Sequence, residues 1–187
     1  MEELFTFLNN VYPLSGPLCE YLQCCLKYRE ISRKDYLLKA GHICRHIHFI
    51  ESGLLRCYYD KGTTEVCSWF MKEGDIIVSI ESFYRQVPSY ESIQALEDCR
   101  LFYIEYNDLD FIYKNYAEFN YIGRELTLNY FILWAQQLYG LRMQNSYERY
   151  HWLITNFPEL VLRVPAKHIA SYLGITEVTL SKIKGMH

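Results

Sequence analysis

Two groups of side chains in this sequence could carry metal or redox chemistry. Cys19, Cys24 and Cys25 share one short stretch, and His42, His46 and His48 share another. An iron–sulfur cluster needs four thiolates. The three cysteines match none of the usual spacings, and no CxxC pair occurs in the chain. Together with Cys44, Cys57, Cys67 and Cys99 they read as reduced thiols, with Cys57 and Cys67 as small buried side chains of strands. His46 and His48 fall on one face of an extended run, which makes a ligand pair geometrically possible. Without a third ligand nearby, two imidazoles make a poor metal site. No metal or cofactor is therefore expected. The chain also lacks a P-loop, GxGxxG, HExxH or GxSxG, so no catalytic residue is assigned and the protein is read as a non-enzyme.

A third group is polar and lies near the C-terminus, within Val164-Pro-Ala-Lys-His-Ile-Ala-Ser-Tyr-Leu-Gly-Ile-Thr-Glu-Val-Thr-Leu-Ser-Lys-Ile-Lys. Pro165 pre-sets the first turn of a helix, and Ile169, Ala170 and Leu173 give that helix an apolar face. Gly174 stops it, because glycine takes a left-handed backbone without strain. Ile175 should plug the turn, and Thr176 should cap a second helix in which Val178 or Thr179, Leu180 and Ile183 are apolar. Two short helices about a glycine turn, with a small alanine where they cross, form a helix-turn-helix. Its candidate DNA-contacting residues are Lys167, Thr176, Glu177, Val178, Thr179, Ser181, Lys182 and Lys184.

Charge sharpens this reading. The whole chain carries −3, which argues against a protein that binds nucleic acid over its whole surface. From Ser146 onward, however, five basic residues face three acidic ones, so the tail is +2 and residues 1–145 are −5. Phosphate contacts supply most non-specific affinity for DNA, so a basic tail on an acidic body is the pattern to look for.

These residues need elements to position them. Glu2 to Lys27 reads as helix broken by Pro13 and Pro17. Between about Ile31 and Tyr106, short apolar runs (Ile47–Ile50, Leu54–Tyr59, Glu65–Phe70, Leu101–Ile104) alternate with turns at Gly41, Gly53, Gly62 and Gly74, which indicates an antiparallel sandwich or barrel. After Asn107 the periodicity becomes helical, with Phe119, Ile122, Leu126, Tyr130, Leu133 and Gln137 at three- and four-residue steps. Gly140 should end this long helix. It is longer than its own β domain needs for cover, so the face bearing Ile122, Leu126, Tyr130, Leu133 and Gln137 is expected to meet the same helix of a second subunit. Ser146 is read as the N-cap of a further helix that ends at Asn156. No apolar run is long enough to span a membrane. The acidic start Met1-Glu-Glu is unlike a signal peptide, so a cytoplasmic protein is expected.

The fold class expected is α+β: an N-terminal double-stranded β-helix (jelly-roll) domain over residues 1–112, a dimerisation helix and linker over 113–145, and an all-α helix-turn-helix over 146–187. This order resembles the Crp/Fnr family of bacterial transcription regulators. The resemblance rests on Phe49-Ile-Glu-Ser-Gly-Leu-Leu-Arg, Glu73-Gly-Asp and Ile169-Ala-Ser-Tyr-Leu-Gly-Ile-Thr-Glu-Val-Thr-Leu-Ser-Lys-Ile. Glu81-Ser-Phe and Ile93-Gln-Ala-Leu-Glu-Asp look like the subgroup common in Bacteroidetes-type bacteria. The resemblance implies a cyclic-nucleotide-binding-like sensor, a homodimer, a two-fold DNA operator and a possible small-molecule effector.

The departures bear on the ligand and on the DNA. Members that bind cyclic AMP carry Gly-Glu-Leu and Arg-Ser-Ala, the Arg pairing with the phosphate; here the stretches read Val78-Ser-Ile and Ser89-Tyr-Glu. A phosphate would lack its charge-assisted partner, so cyclic AMP is not expected. The candidate effector pocket is Val78, Ser79, Glu81, Ser82, Ser89, Tyr90 and Glu91. The recognition helix starts Glu177-Val-Thr where the subgroup has Pro-Glu-Thr, so Val178 can meet a thymine methyl but cannot accept from a cytosine amine. Relatives continue into a β-wing, for which the residues after Lys184 leave no room. An alternative reading follows: a jelly-roll ligand-binding or interaction protein whose helix-turn-helix no longer reads DNA.

Overall fold

The structure, a computed structural model, describes residues 1–185. The end of the chain, on which the expectation of a wingless head rests, lies outside the described residues. The chain divides into two compact units, Met1–Cys57 with Phe70–Leu128, and Tyr58–Trp69 with the chain from Asn129 onward.

The first unit opens with helices α1 (Glu2–Val11) and α2 (Gly16–Cys25). Pro13 falls in the break between them, but Pro17 starts α2 behind its Ser15 cap, where a missing N–H costs nothing. Eight strands follow along the chain, most of β4 and β5 belonging to the second unit: β1 (Lys27–Ile31), β2 (Tyr36–Leu38), β3 (His46–Ser52), β4 (Leu55–Lys61), β5 (Thr64–Met71), β6 (Ile76–Ile77), β7 (Glu91–Ala95) and β8 (Cys99–Glu105). They form two four-stranded sheets, ordered β1-β8-β3-β6 and β2-β7-β4-β5. Alternation explains the burial. In β3, Ile50 is fully buried, while Phe49 points the other way and meets Phe7 of α1 at 5.5 Å between ring centres. His48 pairs with Tyr103 and Phe49 with Phe102 across β3 and β8.

The turns explain two of the sequence motifs. Gly53 has φ +104°, and a Cβ there would lie 2.6 Å from the Asp98 carbonyl oxygen, so only glycine fits. Its amide donates to Glu73 Oε1 at 3.0 Å, and the Lys72 amide donates to Asp75 Oδ2 at 2.9 Å. The Ser52-Gly and Glu73-Gly-Asp stretches thus hold the roll's turns. Helix α3 (Ile80–Arg85) lies between β6 and β7, and α4 (Tyr106–Asn115) follows β8.

Helix α5 (Ala117–Met143) runs from the first unit into the second and continues through Gly140, so that glycine is not its end. In the second unit, α5 is followed by α6 (Ser146–Asn156), α7 (Pro158–Arg163), α8 (Ala166–Tyr172) and α9 (Glu177–Lys184). Ser146 is not the cap of α6. Asn145 is, in a reciprocal capping box with Glu148, because Glu148 then sits three positions after the cap. Helix α7 was not expected; Pro158 begins it as a first-turn residue.

Candidate nucleic-acid surface and sensor cavity

The turn between α8 and α9 forms as its residues dictate. Gly174 has φ +65°. The Ile175 amide reaches back to the Ala170 carbonyl at 3.0 Å and the Gly174 amide to that of Ser171 at 3.1 Å, the paired bonds of a Schellman ending. Ala170 is buried where the helices cross, and Ile175 is half-buried rather than a sealed plug. Thr176 accepts from the Thr179 amide at 3.1 Å and caps α9. Leu180 and Ile183 are buried, whereas Val178 is 66 % exposed, so Val178 does not belong to the apolar stripe. Glu177, Val178, Ser181, Lys182 and Lys184 all lie on the exposed side of α9, Thr179 is half-buried, and Lys167 is exposed on α8. Seven of the eight candidate DNA residues are thus exposed, six of them on α9 or at its cap. Lys182 is a single-point donor there, without the fork of an arginine.

Helix α8 is also tied to the β4–β5 hairpin within the second unit. Ser171 Oγ accepts from the Cys67 amide and donates to the Glu65 carbonyl, each at 2.9 Å. Gln137 of α5 donates to the Ser68 carbonyl at 2.9 Å.

Of the five residues expected on a dimer face of α5, Ile122 is fully buried and Leu126, Tyr130, Leu133 and Gln137 are half-buried. They form the side of the helix covered within the chain. The exposed apolar side carries Leu128, Phe131, Ile132, Trp134 and Tyr139 instead. Both stripes are apolar, so the 3.6-residue period alone picks out neither.

The residues of the candidate effector pocket are close together but largely occupied with each other. Ser79 and Ser89 hydroxyls lie 2.9 Å apart. Ser89 Oγ also donates to the Glu91 carbonyl at 2.8 Å and accepts from its amide at 3.1 Å. Ser82 Oγ donates to the Val87 carbonyl at 2.6 Å and accepts from the Cys44 amide at 2.8 Å. All three serines are buried, Tyr90 is exposed, and Glu81 pairs with Arg85 at 3.0 Å on the surface of α3. These hydroxyls hold the β6–α3–β7 segment in place.

A cavity of about 300 Å³ lies elsewhere in the first unit. Of the candidate pocket residues it takes only Val78. Its wall includes His42, His46 and His48, with Arg29 of β1, and Lys39 and Arg45 from either end of the β2–β3 connection. His48 is buried and its Nε2 has no hydrogen-bond partner. Burial, with His46 and the Arg29 guanidinium adding to it, pushes its pKa from 6.5 down to about 3, so the ring is neutral. Burial also lowers His46, with Glu105 opposing. The rings of His46 and His48 are 5.8 Å apart between centres, and Tyr103 sits against both. Among the described residues no three His, Cys, Asp or Glu side chains are placed to share a metal ion. All seven cysteines are free thiols; Cys44, Cys57, Cys67 and Cys99 are buried, Cys24 is exposed, and Cys19 and Cys25 are half-buried. Burial raises the Cys99 thiol to about 11, which disfavours a reactive thiolate. Sequence reasoning missed Arg29, Lys39 and Arg45. Lys39 and Arg45 stand only a few residues from the histidines, and that cluster of basic residues was the available signal.

The fold defines a class of protein: a double-sheet β domain, a long helix and a C-terminal helical head. Residues 28–116 match the family described as "Cyclic nucleotide-binding domain". No curated protein sequence matches the chain. Among solved structures, a CooA mutant from Carboxydothermus hydrogenoformans is similar at 20 % identity and a TM-score of 0.72, over 97 % of this chain and 82 % of that one. A protein from Eubacterium rectale assigned to the Crp/Fnr transcriptional regulators is similar at 16 % identity and a TM-score of 0.72, over 93 % and 85 %. CLP of Xanthomonas campestris, a c-di-GMP responsive global regulator, is similar at 13 % identity and a TM-score of 0.71, over 92 % and 91 %. The shared feature is the fold. Among the described residues, no helix is long and apolar enough to cross a membrane.

Proposed function

We propose that the protein is a homodimeric, DNA-binding transcription regulator of Crp/Fnr type that senses a signal through its double-sheet domain and acts in the cytoplasm. The observation that carries this reading is the α8–α9 pair. Its buried residues hold two short helices together about the Gly174 turn, and its exposed side offers Val178, Ser181 and Lys182 together. A helix presented this way enters a major groove with its N-terminal residues at the base edges. Residues 1–112 then form the sensor, 113–145 the dimerisation helix and linker, and 146–187 the helix-turn-helix reading head. Glu81-Ser-Phe and Ile93-Gln-Ala-Leu-Glu-Asp favour the Bacteroidetes-type subgroup.

A second copy is called for by α5. Its exposed side concentrates Leu128, Phe131, Ile132, Trp134 and Tyr139, and burying large apolar side chains is what drives subunits together. Two copies would present two heads to half-sites about one helical turn apart. We read the signal as other than cyclic AMP, since Ser89 stands where the resemblance places the phosphate-binding arginine and its hydroxyl is bonded to Ser79 and the Glu91 backbone.

Fluorescence anisotropy against genomic fragments and random duplex, at two salt concentrations, tests the reading. Binding that weakens with salt and favours some fragments is expected. No binding, or binding indifferent to salt, overturns it in favour of a jelly-roll ligand-binding or interaction protein whose head no longer reads DNA.

A further inference from the structure

The cavity of about 300 Å³ in the first unit is graded from rim to floor. Arg29, Lys39, His42 and Arg45 are exposed at its rim, His46 is half-buried, and His48 is 4 % exposed. No Asp or Glu lines it. Among the described residues, the guanidinium groups of Arg29 and Arg45 have neither an ion pair nor a hydrogen bond, although surface guanidiniums elsewhere in the chain do: Arg85 pairs with Glu81 and Arg124 with Glu125. Below the rim the wall turns apolar, with Leu38, Val78 and Ile93 alongside the imidazoles.

His48, which lines the cavity, carries a buried polar atom that the protein leaves unmet. A buried donor or acceptor without a partner costs stability, and native folds seldom leave one without a reason. His48 Nε2 is such an atom. As a neutral ring in an apolar setting it suits an uncharged hydrogen-bonding group, not an anion. The unpaired guanidinium groups at the rim suit the opposite chemistry, an oxyanion that can take paired N–H donors. The volume is at the small end for ligand pockets.

We propose that this cavity binds a small amphipathic anion, with its carboxylate or phosphate head at the Arg29 and Arg45 rim and its uncharged body between Leu38, Val78 and Ile93, placing one hydroxyl or carbonyl against His48 Nε2. The site is separate from the Ser79–Ser89 segment, and its occupancy does not depend on the DNA reading.

The test uses the full chain without DNA. Calorimetry and the ring-nitrogen NMR signals of the histidines are followed with 4-hydroxybenzoate, phenyl phosphate and inorganic phosphate, and with neutral 4-hydroxybenzamide as control. The two aromatic anions should bind and move the His48 and His46 signals, with 4-hydroxybenzamide at least about tenfold weaker. Inorganic phosphate against 4-hydroxybenzoate tells whether the rim favours phosphate or carboxylate heads. Arg29→Ala and Arg45→Ala should each weaken binding by about tenfold. His48→Phe should remove the preference for 4-hydroxybenzoate over benzoate while raising the melting temperature of the ligand-free protein, because the unmet atom is gone. Silence of the His48 signals at millimolar concentrations of every anion, or binding that survives the Arg29/Arg45 double substitution, overturns the proposal.

Discussion

The hydroxyl of Ser171 takes the place of a neighbouring strand for Cys67. Strand β5 is the last in the sheet order β2-β7-β4-β5. Ser171 Oγ accepts from the Cys67 amide and donates to the Glu65 carbonyl two residues earlier. One side chain of α8 thus bonds to two backbone groups of a strand at the end of its sheet, a position that proteins protect. Ser171→Ala should destabilise the protein by about 1–3 kcal/mol, and urea unfolding would register it. An unchanged midpoint would mean that water substitutes for the hydroxyl.

Gly174 offers a test of backbone strain. The nearest side-chain atom to an added Cβ is Leu141 Cδ2 at 3.5 Å, an ordinary contact. The penalty for Gly174→Ala is therefore conformational, about 1–2 kcal/mol for a left-handed residue. Gly174→Asn should cost less, since asparagine tolerates that region. Thermal unfolding of both variants should rank them in that order.

His48 predicts a pH dependence of stability. Its pKa is about 3 in the folded protein against 6.5 for an ordinary histidine. Between those values the unfolded chain binds the proton and the folded chain does not, so stability falls as pH drops through this window. The contribution approaches about 1.4 kcal/mol per pH unit. Its stabilising share is fully present above pH 6.5. The half-buried His46 shifts the same way, lowered by burial and by Arg29, Lys27 and Arg45 and opposed by Glu105. Urea midpoints measured from pH 7 down to pH 4 should converge for wild type and His48→Phe at the neutral end and diverge at the acid end, after allowing for a constant offset.

For the reading head, Lys182→Ala should weaken DNA binding almost uniformly across sequences and lower the salt slope by about 1. Val178→Ala should leave the slope alone and change the ranking of fragments, because a lost methyl contact is felt only opposite thymine. Anisotropy titrations at several salt concentrations separate the two effects. Equal effects of both variants on slope and ranking would remove Val178 from the base-reading surface.

The exposed side of α5 makes a parallel prediction about assembly. Trp134→Glu should convert dimers to monomers in sedimentation velocity, whereas Gln137→Glu, on the covered side and bonded to Ser68, should leave assembly unchanged. A wild-type chain that sediments as a monomer would remove the dimer.

What could be read directly from the sequence was local. Gly174 and Thr176 announce their roles because a left-handed turn and a helix cap each depend on only a few adjacent residues. The sandwich was legible because alternation and glycine turns recur along Ile47–Ile104. The covered side of α5 was not, since Tyr130 and Phe131 are both large and apolar and only the remainder of the chain decides which one is screened. The cavity was hidden for a different reason: Arg29 comes from β1 and the histidines from the β2–β3 connection and β3, and sheet pairing brings them to one opening. The shift of the cap from Ser146 to Asn145 is a one-residue error of the kind expected where two capping residues stand side by side.

Between the end of α5 and the start of α6 stand only Gln144 and Asn145. Asn145 is locked by Glu148, and Arg149 grips the Gln144 carbonyl at 2.8 Å. The joint therefore has no slack and behaves as a rigid coupling instead of a tether. A twist of the last turn of α5 would be handed on to α6, and through the α6–α9 packing to the exposed helix, with little lost as play in the gearing.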